Sequence, residues 1–401
     1  MNSPGDLGET GHNHSPNPPQ IPLEILQKEC HTWKSFPFNR APPSLMATLS
    51  DNLSDLGTEV PLASVERELK NLFASDLAVT RASLINFAIY SEQPEDLADN
   101  TAIIREVTRE HACRALLIAV TCQDHAPSVR AWITAHCNLN SNGGKSICSE
   151  QITMLMEGRS EHFVPNMVLS RLDSDLPLVF WWQGPLTENF EPSLYSRIDR
   201  LIIDSGAWAD PLVQFDVLEK AYRSSITRLN VMDLAWTRVL PLRLALAACY
   251  DDPLALADFP RVNEVTISHC PTYSLEARMI AAWMAHQAGW KWLPLPNRGP
   301  TEFSLESREG IHITLRFLTT DTAIPISSIR LCSPGTTTEA SRDSDCPFIR
   351  SCITSDSQRT EHLTPANFNT PAELIIERLR RGCNNRLYFT LLQTVRQLLR
   401  A

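Results

Sequence analysis

The sequence is poor in the residues from which most enzyme signatures are built. Only 14 of its 401 residues are glycine, whereas a nucleotide-binding loop needs residues without Cβ so that backbone N–H groups can approach phosphate closely. The one fragment that resembles such a loop, Asn142-Gly143-Gly144-Lys145-Ser146, has Leu139 where the first glycine of a phosphate loop must stand. It reads as a polar turn between two strands. No Gly-x-Ser-x-Gly and no His-Glu-x-x-His occurs, which removes two common hydrolase signatures. The eleven cysteines include no Cys-x-x-Cys, so neither a zinc ribbon nor a thioredoxin-type motif is present. No apolar run reaches the roughly 18 residues of a membrane span, and the first twenty residues are polar and acidic rather than basic then apolar. A cytoplasmic protein is expected. Basic charge is also scarce: a net charge of −10 argues against nucleic acid or anionic membrane as a partner of the whole molecule. Soluble proteins and small molecules remain.

The cysteine and histidine positions narrow the chemistry further. An odd number of cysteines, scattered over a chain large enough to build a core, predicts reduced thiols rather than a disulfide framework. Buried ones act as small hydrophobes. An exposed thiol could be a redox switch, and Cys346 and Cys352, in a polar stretch, are the candidates. His136/Cys137 and His269/Cys270 are sequence neighbours, which on a strand point to opposite faces and make poor ligand pairs. No metal site and no cofactor site is expected.

What the sequence does contain is an α/β pattern long enough for two domains. Residues 1–60 hold eight of the 28 prolines and a net charge of −4, the composition of a loosely ordered extension. An N-terminal α/β domain is expected over 61–206, with strands near Arg81–Tyr90, Ala115–Thr121, Val129–His136, Gln151–Met156, Leu178–Trp182 and Leu201–Asp204 and a helix over Asp96–His111. A second mixed α/β domain is expected over 207–401. Its helices are Pro211–Ser224, Pro241–Cys249 and Ser274–Gln287, the last stopped by Gly289; its strands are Val262–Ser268, His312–Leu318 and Ile326–Leu331. Ser333–Thr370, rich in Ser, Thr and Asp, reads as a surface excursion. The chain closes in a helix pair: Thr370-Pro371-Ala372-Glu373 is a capping box with proline at the first helical position, Gly382 stops that helix, and Leu387–Leu399 forms the second.

Between Leu176 and Asp252 lie three apolar runs, the second and third of them interrupted by charges of both signs: Leu178-Val-Phe-Trp-Trp182, Arg197-Ile-Asp-Arg-Leu-Ile-Ile-Asp-Ser205 and Asp233-Leu-Ala-Trp-Thr-Arg-Val-Leu-Pro-Leu-Arg243. A buried ion costs several kcal/mol unless it is paired. On a strand Arg200 and Asp204 share a face but stand about 13 Å apart, too far to pair with each other. Each needs a partner from elsewhere, for which Asp233, Arg238 and Arg243 are candidates. Two readings are open: an Arg/Asp network that locks two domains together, or a surface where Trp and Arg meet another protein. Trp181 and Trp182 point to opposite faces of one strand, so one belongs to the core while the other can line an interface or a pocket rim. Trp236 completes the set.

These three segments, taken in order, resemble the OpcA family, the glucose-6-phosphate dehydrogenase assembly proteins; Arg81-Ala-Ser-Leu-Ile-Asn86 fits the same family's first domain. The resemblance covers about residue 60 to about 300. It implies a protein with no chemistry of its own that binds glucose-6-phosphate dehydrogenase, promotes its active oligomer or raises its substrate affinity, and so supports the oxidative pentose phosphate pathway and NADPH supply. It also links regulation in photosynthetic relatives to thioredoxin, although no particular cysteine of this chain maps onto that link. The competing reading is a sugar-phosphate-binding enzyme or sensor in which Arg200, Arg238 and Arg243 clamp a phosphate and Asp204 or Asp233 serves as acid or base.

Overall fold

The computed structural model of the chain describes residues 56–74, 79–121, 126–138, 146–158, 164–225, 229–294, 301–344, 346–366, 370–381 and 385–401. Nearly all of the expected 1–60 extension, residues 142–145 of the phosphate-loop-like fragment and the Gly382 helix stop lie outside the described residues.

Long runs of Val, Ile, Leu and Phe buried on both sides build the first sheet. Its strands are β1 (Thr58–Val60), β2 (Val79–Arg81), β3 (Ile85–Ser91), β4 (Cys113–Thr121), β5 (Ser128–Asn138), β6 (Ser146–Glu157), β7 (Leu178–Trp182), β8 (Arg200–Ile203) and β9 (Asn230–Asp233). They lie in the order β1-β5-β6-β4-β3-β7-β8-β9, with β2 also paired to β6. Every neighbouring pair from β6 across to β9 is parallel, whereas β5 and β1 extend the edge antiparallel. Numbered among themselves along the chain, the six parallel strands run 3-2-1-4-5-6, the doubly wound order. In sheets of this order ligands meet the C-terminal strand ends where the winding reverses, here between β3 and β7.

Both faces of this sheet are covered. Phe87, Ile89, Leu117, Val179 and Trp181 share one cluster with Leu97, Ile104 and Val107 of α2 (Leu97–Glu110). On the other face Tyr90, Ile118, Phe180, Trp182 and Leu201 join Val65 and Leu69 of α1 (Val65–Ala74) and Phe215 and Leu218 of α3 (Pro211–Ser224). Local chemistry sets the start of α3: Asp210 accepts hydrogen bonds from Leu212 N and Val213 N, and Pro211 occupies the first turn, where its missing N–H costs nothing. After β9 follow two short helices, α4 (Leu234–Arg238) and α5 (Leu240–Ala248), then the longer α6 (Ser274–Ala288), which Gly289 ends in a left-handed conformation at φ 70°.

The second sheet contains β10 (Glu264–His269), β11 (Lys291–Trp292), β12 (Glu302–Glu306), β13 (His312–Thr319), β14 (Ile326–Cys332), β15 (Thr336–Ser341), β16 (Phe348–Ser355) and β17 (Arg359–Pro365). Their order is β11-β12-β13-β10-β14-β15-β16-β17. Only β10 and β13 run parallel. Val265, Ile267, Phe303, Leu305, Ile313, Leu315 and Phe317 point into the core, and the residues between them carry cross-strand ion pairs such as Arg316 with Glu264 and Glu302.

This sheet corrects the expectation of a surface excursion over Ser333–Thr370, since three of its strands lie there. A sheet with one wet face asks for apolar residues only at alternate positions. Thr338, Ala340, Ile349, Ser351 and Ile353 meet that need as buried residues, while the intervening Ser, Thr, Arg and Glu give the segment its polar composition. The expectation of wholly reduced cysteines is also corrected. Cys137 of β5 and Cys148 of β6 stand directly opposite in the antiparallel ladder and are joined by a disulfide. Eleven residues apart in sequence, they are brought together by a strand register that spacing alone does not reveal.

The chain's last two helices return to the first sheet. The Thr370 capping box opens α7 (Pro371–Arg380), whose Leu374 and Ile375 belong to the cluster on the α2 face. Then α8 (Asn385–Arg400) brackets β9: Asn385 Nδ2 donates to Leu229 O at 2.8 Å, and its Oδ1 accepts from Val231 N at 3.1 Å.

Candidate functional site at the rim of the parallel sheet

At the winding reversal the turn from β3 into α2 reads Glu92-Gln93-Pro94-Glu95-Asp96. In dinucleotide-binding sheets this first turn is rich in glycine and receives a pyrophosphate at the helix N-terminus. Here it has no glycine and three acids. Glu92 Oε1 accepts from Tyr90 OH at 2.9 Å and from Thr187 Oγ1 at 2.6 Å, which binds the turn to the segment after β7. Asn100 and Gln183 exchange two hydrogen bonds of 2.8 Å across the same crevice. Asp96 takes a hydrogen bond from Ser91 Oγ at 3.0 Å; burial, with Glu95 and Asp99 adding to it, raises its pKa. The crevice is closed by the chain's own hydrogen bonds, and its fixed negative charge repels phosphate.

Asp204 of the second family-like segment and Asp233 and Arg238 of the third meet two strands away. Asp233, the last residue of β9, caps α4 by accepting from Ala235 N at 3.0 Å. It also accepts from Ser205 N at 3.1 Å, Ser205 Oγ at 2.6 Å and Tyr388 OH at 2.7 Å. Complete burial raises its pKa despite these four donors. Arg238, at the end of α4, reaches Asp204 Oδ2 through Nη2 and Glu276 Oε1 through Nη1, each at 2.6 Å. Tyr273 lies 5.5 Å from its guanidinium, ring centroid to carbon. Burial opposes the Arg238 charge, but Asp204 and then Glu276 outweigh it, so its pKa lies above the ordinary value.

One guanidinium thus faces two carboxylates, and the more deeply buried one carries the cost. Glu276, in the first turn of α6, has no exposed surface and its Oε2 has no hydrogen-bond partner among the described residues. Burial pushes its pKa up to about 7 against the pull of Arg238. The approach also requires Gly206: a Cβ there would sit 2.6 Å from Glu276 Oε1. Because α6 packs against β10, this ion pair ties the rim of the first sheet to the second.

The other expected site residues are placed elsewhere. Arg200 opens β8, at the opposite end of that strand from Asp204, and its charge acts on His111. Arg243 in α5 lies 3.3 Å over the Trp236 ring and donates to Trp236 O at 3.0 Å. The three arginines of the phosphate-clamp reading are therefore not convergent. Trp181 and Trp182 are both buried, 6% and 0% exposed, one in each face's core. This corrects the expectation that one of the two is available to an interface or a rim: both faces of the sheet are covered by helices. Cys352 is a nearly buried free thiol on β16, and Cys346 is a half-buried free thiol before it. Glu276, Tyr388 and Gly206 are members of this cluster that the sequence reading does not single out. The one carboxylate of a helix rich in Leu, Ala, Met, Ile and Trp is the available signal for Glu276.

Two family models account for most of the chain. They describe the N-terminal domain and the C-terminal domain of a glucose-6-phosphate dehydrogenase subunit; the first matches residues 104–220 and the second residues 229–392. The chain belongs to the OpcA family of glucose-6-phosphate dehydrogenase assembly proteins. The three segments that resemble the OpcA family fall inside the two matched ranges. No curated protein matches. Among solved structures the chain is similar to KijD10, a 3-ketoreductase from Actinomadura kijaniata, at 11% identity and a TM-score of 0.43 over 78% of this chain and 94% of that one. It is also similar to an aldose-aldose oxidoreductase from Caulobacter crescentus, at 10% identity and a TM-score of 0.41 over 78% and 98%. A Gal80p super-repressor mutant from Saccharomyces cerevisiae follows at 8% and 0.39 over 74% and 83%. Likenesses of this order carry no conclusion about the chemistry of this chain.

Proposed function

We propose that this protein is a non-catalytic effector that binds glucose-6-phosphate dehydrogenase, favours its active oligomer and raises its activity or substrate affinity. Membership of the family carries the reading. The acid-filled first turn supports it, because a sheet wound in the dinucleotide-binding order has carboxylates where phosphate would lie. Acting in the cytoplasm, the effector would regulate entry to the oxidative pentose phosphate pathway and hence NADPH supply, with thioredoxin as a further partner. Its mechanism is preferential binding to one conformational or oligomeric state of the dehydrogenase. A preference of about 1–3 kcal/mol changes apparent substrate affinity roughly 5- to 150-fold. The test titrates the purified protein into the cognate dehydrogenase while the saturation curve and the oligomer size are followed together. A lower KM or higher kcat with co-migration at micromolar concentration is expected. Unchanged kinetics without co-migration would sink the proposal.

A further inference from the structure

One face of the second sheet lies outside the hydrophobic core. Side chains alternate along a strand, and the inner set, Val265, Ile267, Ile313, Leu315, Ile329 and Leu331, belongs to the core. Helix α5 meets the sheet from that side, where Ser351 Oγ donates to Ala245 O at 3.1 Å. Strand register lays the outer set out in rows. Glu302, Arg316, Thr266, Arg330 and Glu339 stand side by side on β12, β13, β10, β14 and β15, in the order acid, base, neutral, base, acid. None of the five belongs to a hydrophobic cluster among the described residues. Each arginine already holds a glutamate: Arg316 reaches Glu264 at 2.6 Å and Glu302 at 3.2 Å, and Arg330 reaches Glu339 at 2.8 Å. At the far edge Arg350 pairs with Glu361 of β17 at 2.8 Å. These paired side chains keep 27% to 53% of their surface open. The pairing leaves the face almost without net charge on a chain of −10.

We propose that this face joins two copies of the chain in a two-fold dimer, sheet against sheet. From β12 to β17 it spans seven strands of five to eight residues. At about 4.8 Å between strands and about 3.3 Å per residue that makes roughly 700 Å², close to the roughly 800 Å² that each partner of a stable complex buries. The charge pattern selects a second copy as the occupant. A two-fold axis set along the strands between β10 and β14 brings Arg316 of each copy opposite Glu339 of the other, and Thr266 opposite Arg330, so that no like charges of this row meet. A face without net charge is also where two acidic chains repel each other least. Sheets packed face to face stand about 10 Å apart, a gap that Arg and Glu side chains can fill while their existing pairs keep any of them from being buried alone.

The dimer forms without the dehydrogenase. Light scattering on the full chain by itself should therefore give about twice the 45.0 kDa chain mass at tens of micromolar. Thr266→Arg puts a third positive charge at the centre of the row, and Glu339→Arg sets like charges opposite each other across the axis. Each should raise the dissociation constant about a hundredfold or more with an unchanged far-UV circular dichroism spectrum. A wild type that stays at the mass of one chain up to hundreds of micromolar overturns the proposal, as does a dimer whose dissociation constant either folded variant leaves unchanged. Should Thr266→Arg fail to fold, Glu339→Arg decides: an unchanged dissociation constant rejects the face and a raised one supports it.

Discussion

Arg238 and Arg243 lie five residues apart, both mostly buried, and live in opposite electrostatic worlds. Arg238 has Asp204 and Glu276 within 2.6 Å; Arg243 has aromatic rings and the like charges of Arg378 and Arg381. The difference arises from where α4 ends and α5 begins. Arg238 closes α4 at the rim, facing the loop after β8 and the first turn of α6, whereas Arg243 lies one helix on, within reach of the charges of α7. Burial by itself says little about an arginine: the groups that other elements bring to it decide whether it ties two elements together or packs against aromatic rings.

The contrast can be broken most severely at Arg238. Arg238→Met leaves Asp204 and the fully buried Glu276 without their cation and should cost about 3–5 kcal/mol in denaturant unfolding; a cost similar to that of Arg243→Met would erase the distinction. Next in size is a pH effect. The folded pKa of Glu276, about 7, lies above its ordinary value of 4.5, so the folded state holds this proton more tightly than the unfolded one. Its contribution to stability is greatest below pH 4.5, is lost as pH rises through 7, and amounts to on the order of 3 kcal/mol. Glu276→Gln should therefore gain stability relative to wild type as pH rises across that window, and parallel curves for the two proteins would refute the assignment. Smallest is Gly206→Ala, which forces the Glu276 carboxylate away from the new methyl at a cost of about 1–3 kcal/mol; an unchanged Tm would show that the approach is not tight.

Much of the fold is legible where local chemistry announces itself. The span of β7, the Pro211 start of α3, the Gly289 stop and the Thr370 capping box are readable because caps and breakers act over a few residues. The strands of Ser333–Thr370 are not, because their apolar positions alternate with threonine and serine on a half-wet sheet. Within the site, Asp204 and Arg238 can be recognised as charges in need of partners. That they partner each other, with Glu276 from α6 as the third member, depends on the arrangement of distant elements. The same limit hides the Cys137–Cys148 pairing, which depends on strand register, and leaves Arg243 among the candidates for a network it does not join.

The return of α7 and α8 to the first sheet has a consequence for biosynthesis. Tyr388 and Asn385 complete the hydrogen bonding of β9, and Leu374 and Ile375 cover part of the α2 face. All four are synthesised well after the strands they cover, Tyr388 155 residues after Asp233. Sheet strands finished long before must wait for them with an apolar face open and Asp233 short of one donor. At elongation rates of about 5–20 residues per second that wait lasts many seconds. The two halves recognised by separate family models are thus made in sequence but completed together.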